Sequence, residues 1–116
     1  MVYPTEQIED LKRYCAKLSA IPEGGVTFLQ TEGLRLPAGC EPAVCDALLC
    51  PVPKDGYPSR LYLSTKVVSP YTRNWNCSNH RIGERNWFAF SWKVDIKDPT
   101  LTQLLVAHLN GFAKEK

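Results

Sequence analysis

Cys77 is the residue of this chain best placed for chemistry. It stands in a polar, asparagine-rich stretch, with Arg73 and Arg81 four residues to either side and His80 three residues on. The thiolate is the reactive form of cysteine, and nearby cations or an imidazole favour it, so this company suits a nucleophile. The other cysteines, at positions 15, 40, 45 and 50, lack that setting. Cys15 falls on one helical stripe with Ile8, Leu11 and Leu18 and reads as a packing thiol. Cys40, Cys45 and Cys50 would form a metal site only if Cys77 or His80 completed it. Their spacing is not the paired short spacing of structural zinc, and Cys45 and Cys50, five apart on a strand, point to opposite faces. No metal and no other cofactor is expected.

A nucleophile in irregular chain has to be held by the elements around it. The sequence predicts a helix from residue 5 to about 20, with Thr5 as N-cap, acidic Glu6, Glu9 and Asp10 early and Lys12, Arg13 and Lys17 late, as the helix dipole prefers. Pro22 and Gly24-Gly25 end it. A strand is expected within 26–36 and a second over 43–50, bounded by Pro42 and by Pro51-Val52-Pro53. Residues 54–58, Lys-Asp-Gly-Tyr-Pro, have turn chemistry, and 60–68 is the clearest strand pattern. Residues 69–86 show neither period and read as a long active-site loop, ordered by Trp75 and by the aromatic block Trp87 to Trp92. Asp98-Pro99 then opens a last helix, Asp as N-cap and Pro at the first helical position. Its apolar stripe is Leu101, Leu104, Leu105, His108, Leu109 and Phe112, which makes His108 a core imidazole rather than a site residue.

The resulting class is α+β. At 116 residues the chain is expected to form one domain. Five scattered cysteines fit a reducing compartment better than a disulfide scaffold. A net charge of +2 gives no reason to expect a nucleic-acid partner, although Arg73, Arg81, Arg85 and Lys93 gather in sequence around Cys77. No apolar run approaches the ~20 residues of a bilayer span, and the opening residues lack the order of a secretory signal. A cytoplasmic protein without a membrane partner is the expectation.

Several of these pieces, in this order, resemble the ubiquitin-conjugating enzyme (UBC) family: Leu11-Lys12-Arg13 in the first helix, Gly56-Tyr57-Pro58 before a strand, Ser64 to Pro70 leading to the loop, Cys77, and Trp87 ahead of the closing helix. Leu36-Pro37-Ala38-Gly39 and the block from Trp87 to Trp92 look like the compact prokaryotic branch, which is encoded beside ubiquitin-like proteins and activating enzymes in bacterial antiphage operons. The resemblance implies a UBC-like fold: N-terminal helix, antiparallel β-meander, long active-site loop and C-terminal amphipathic helix. It also implies transthiolation, in which Cys77 accepts a ubiquitin-like C-terminus as a thioester and passes it to an amine such as a substrate lysine. Such a site needs an oxyanion donor. The family's His-Pro-Asn tripeptide is here Ser69-Pro70-Tyr71, without the Asn, so Asn74, Asn76 or Asn79, or failing these a backbone N–H or His80, would have to serve. Lys12, Arg13 and Lys17 would dock the activating enzyme. The alternative is an inactive member that binds or scaffolds a ubiquitin-like protein, and the missing Asn is its main support.

Overall fold

The computed structural model of the chain describes residues 3–54, 56–71 and 74–113. The first helix, α1, spans Thr5–Leu11 and is continued only by a 3-10 turn at Lys12–Tyr14. It therefore stops well short of residue 20. Lys17–Glu23 is instead the first strand, β1, and it forms a hairpin with β2, Val26–Arg35. Gly24 and Gly25 both take positive φ, 60° and 81°, which is the twisted two-residue turn that hairpins favour. The glycine pair is thus a hairpin turn, and strand pairing overrides the helical spacing upstream of it. The apolar stripe survives the change of element: Leu11 and Cys15 are buried, and Ile8 and Leu18 pack against the core.

β3 (Val44–Cys50) and β4 (Arg60–Leu63) extend the antiparallel meander. Residues 69–86, expected to be irregular, contain two more strands, β5 at Cys77–Ile82 and the beginning of β6 at Arg85–Ala89. The signal missed was Gly83-Glu84. Gly83, at φ 63°, opens a two-residue turn between Ile82 and Arg85. The six strands form one sheet in the order β1-β2-β3-β4-β6-β5.

Alternation along the strands divides the core between two faces. Leu29, Ala47, Leu49, Leu61 and Leu63 meet the helices on one face. Phe28, Leu48, Cys50, Tyr62, Ile82, Trp87 and Ala89 cluster on the other, with Tyr62 and Trp87 wholly enclosed. No described helix contributes to that second cluster; the curl of the sheet encloses it. Arg85 of β6 reaches Asp46 of β3 at 2.9 Å, and the Gly83 N–H donates to Glu23 at the end of β1, also at 2.9 Å. The last hairpin folds back over the first strands.

The closing helix, α2, spans Leu101–Leu109, and its expected stripe is buried from Leu101 through Phe112. Its N-cap is Thr100 rather than Asp98. Thr100 Oγ1 accepts from the Gln103 N–H and the Gln103 side chain accepts from the Thr100 N–H, so this capping box serves two backbone donors where Asp98 alone would serve one. Gln7 and Asp10 of α1 accept from the Leu101 N–H and the Thr102 hydroxyl, tying the helices together.

Candidate active site

Cys77 is half-buried at the head of the edge strand β5, opposite Ala89, and packs against the second core cluster. Its irregular-loop setting is therefore corrected to a strand. The consequence lies in the register. Cys77 pairs with Ala89 and His80 pairs with Trp87, so three steps along β5 oppose two along β6. Residues three apart on a regular strand face opposite ways, but the extra residue of this bulge returns His80 to the face of Cys77. Asn79 supplies the backbone for it, at φ 54°, a left-handed conformation that Asn adopts more readily than most residues. Both side chains thus stand on the face of Tyr62 and Trp87, where the His80 ring stacks on Tyr62 at 6.0 Å between centroids. The thiol and the imidazole therefore share one face of the sheet, two ladder positions apart.

Residues 74–76, which lead into Cys77, are each docked. The Asn74 carbonyl accepts from the Ser91 N–H at 2.7 Å, and the Trp75 ring meets Phe90 edge-on at 5.2 Å. Asn76 turns its amide to β4: Oδ1 accepts from Arg60, and Nδ2 donates to the Tyr57 hydroxyl at 2.7 Å. Arg60 is buried, its guanidinium 4.4 Å from the Tyr57 ring centroid and 5.7 Å from that of Tyr62. Tyr57 in turn donates to Ser91 at 3.3 Å. The sequence marks Tyr57 only as part of a Gly-Tyr-Pro turn and does not mark Arg60, because a strand-opening arginine after such a turn resembles any solvated residue. Its burial arises from the curl of the sheet.

The remaining expected site residues are dispersed. Asn79 is exposed in the bulge. Arg81, paired with Asn86, alternates to the face away from His80. Arg85 is engaged by Asp46 and lies 4.8 Å over Trp87. Arg73 lies outside the described residues, as does Asp55 of the expected turn. Ser69 Oγ donates to the Tyr71 carbonyl at 2.8 Å, so this part of the altered tripeptide bonds within itself. Lys12 and Arg13 are exposed and paired with Glu9 and Asp10, at 3.1 and 3.2 Å. Lys17 is not on their helix; it sits on β1, opposite Glu32, whose carboxylate is 4.0 Å away.

The other thiols have quieter environments. Cys15, Cys40 and Cys50 are buried, and burial raises the pKa of Cys15 and Cys40. Burial pushes the Cys45 thiol up to about 11. Cys45 and Cys50 pack in opposite clusters, as strand alternation requires. His108 is buried against Ser59, Nε2 to Oγ 2.9 Å; burial, then the Arg60 charge, lowers its pKa to about 4. It is a neutral core imidazole. No protein-family model, curated protein or solved structure matches the chain.

Proposed function

We propose that this protein is a ubiquitin-like protein conjugating enzyme with a UBC-like fold, carrying the ubiquitin-like C-terminus as a thioester on Cys77. The observation that carries the reading is the bulge that sets Cys77 and His80 on one face of an edge strand. The Cys77 thiolate attacks the thioester carbonyl of the loaded activating enzyme. A new C–S bond forms, the old C–S bond breaks, and the departing thiolate takes up a proton. A substrate lysine amine then attacks the Cys77 thioester, His80 receives the proton the amine gives up, and Cys77 leaves as thiolate. Asn74 and Asn79, both exposed and close to Cys77 in sequence, are the side-chain candidates for oxyanion donor, since Asn76 is engaged by Arg60 and Tyr57. Lys12 and Arg13, with Lys17 at the start of β1, offer the cationic side chains for the activating enzyme. The bacterial antiphage setting rests on the sequence resemblance alone.

That same engagement of Asn76 favours a second reading, a binding module that docks a ubiquitin-like protein without catalysis. Reconstitution separates them. With the activating enzyme and ubiquitin-like protein of its own operon and ATP, the conjugating enzyme forms an adduct that thiol reductant dissolves and that Cys77→Ala lacks. Binding without any such adduct replaces the enzyme with the module.

A further inference from the structure

We infer that Arg60 is the positioning residue for Cys77, acting through Asn76 as a tether on the chain immediately ahead of the thiol. The inference deepens the proposed thioester role, and its chemistry is independent of any protein partner. Cys77 begins β5, the strand at the end of the sheet order, and the bulge at Asn79 breaks the ladder directly after it. Such a strand end is prone to fray. Among the contacts that oppose fraying are the Asn74–Ser91 backbone bond, the packing of Trp75 on Phe90, and the Asn76 side chain on Arg60 and Tyr57. The last of these holds the residue immediately ahead of the thiol.

Arg60 suits this task in ways a lysine would not. Its planar guanidinium stacks on Tyr57 and Tyr62 while donating to Asn76, so its direction is fixed by two rings. Tyr62 is also the ring on which His80 stacks. One arginine thereby connects the approach to Cys77 with the platform beneath His80, and both partners of the pair are held from the rigid strand β4. A hydrogen bond to a charged group is stronger than a neutral one, which favours the tether over a water-exposed amide.

The test follows the pH–rate profile of Cys77 alkylation by iodoacetamide, read by peptide mapping, in the full chain. The alkaline limit, where the thiol is fully ionised, reports access rather than acidity. Asn76→Ala, an exposed position, should raise that limit several-fold and speed amide exchange at 77–79, while exchange within α2 stays at the wild-type rate. Arg60→Met should do the same, and the double variant should be no faster than the faster single one. Asn76→Asp, which keeps the acceptor, should restore the wild-type limit. An unchanged limit and unchanged exchange in Asn76→Ala overturn the tether, even if Arg60→Met fails to fold. Transfer from a synthetic peptide thioester to Cys77 keeps the two ideas apart: a changed alkylation limit with no transfer in the wild type retains the tether and removes the thioester role.

Discussion

At the scale of single residues, Cys77 is separated from three of the other cysteines by exposure and from Cys45 by the burial that suppresses ionisation there. Cys45 is also only half-buried, but with its thiol pushed up to about 11 it holds a thiolate fraction of roughly a thousandth at pH 8. Cys15, Cys40 and Cys50 are shielded by packing. A short iodoacetamide pulse at pH 8 should therefore modify Cys77 about tenfold or more ahead of Cys45, with the buried three later still. Equal labelling of Cys45 and Cys77 would show that the neighbourhood of Cys77 confers nothing. The sequence marked Cys77 and His80 because residue type and proximity are visible in it. It did not mark the direction of the Asn76 amide, which depends on Arg60, sixteen residues earlier and buried by tertiary folding.

Elements were legible where one local pattern dominated. The closing helix is such a case, with its leucines buried as the 3.6-residue period requires. Leu105 is completely enclosed, so Leu105→Asp removes ~1.5–3 kcal/mol of apolar burial and adds the larger cost of an unpaired buried carboxylate. Urea denaturation should find no cooperative transition in that variant, and a wild-type midpoint would refute the packing described for α2. Where two patterns competed, spacing misled. The stripe Ile8, Leu11, Cys15, Leu18 is apolar and inward throughout, yet the twisted Gly24-Gly25 turn commits its last member to a strand. The 69–86 segment concealed a hairpin because its bulge breaks strict alternation between Cys77 and His80. The irregularity that hid the strand is the one that assembles the site.

Across the whole molecule, the helices and the sheet meet at a buried polar contact as well as an apolar one. His108 of α2 and Ser59, ahead of β4, bond at 2.9 Å inside the core, and the imidazole there stays neutral down to about pH 4. In the unfolded chain it protonates near 6.5. Between those values the unfolded state binds more protons, so stability is complete above pH 6.5 and declines as the pH falls toward 4, by about 3 kcal/mol in all. Below that the folded protein protonates too and the slope from this group ends. Urea midpoints for the wild type and His108→Gln across pH 4–7 check this: the wild type should lose that much more stability than the variant, and parallel curves would place the charge elsewhere. The curl of the sheet belongs to the same scale. It encloses Tyr62 and Trp87 without a covering helix among the described residues, and it was invisible in the sequence because Arg85 and Asp46, or Gly83 and Glu23, meet only after six strands have formed.

The proposed function stands on a ubiquitin-like C-terminus being carried on Cys77. The most direct measurement is the mass-mapped position of the adduct formed with the activating enzyme, ubiquitin-like protein and ATP, with the reaction stopped at low pH and digested without reductant. The tail should be found on the peptide containing Cys77, released by thiol and slow to discharge to lysine in His80→Ala. A tail on Cys15, Cys40, Cys45 or Cys50, or a wild-type protein that binds the ubiquitin-like protein and gains no thioester at all, would contradict it.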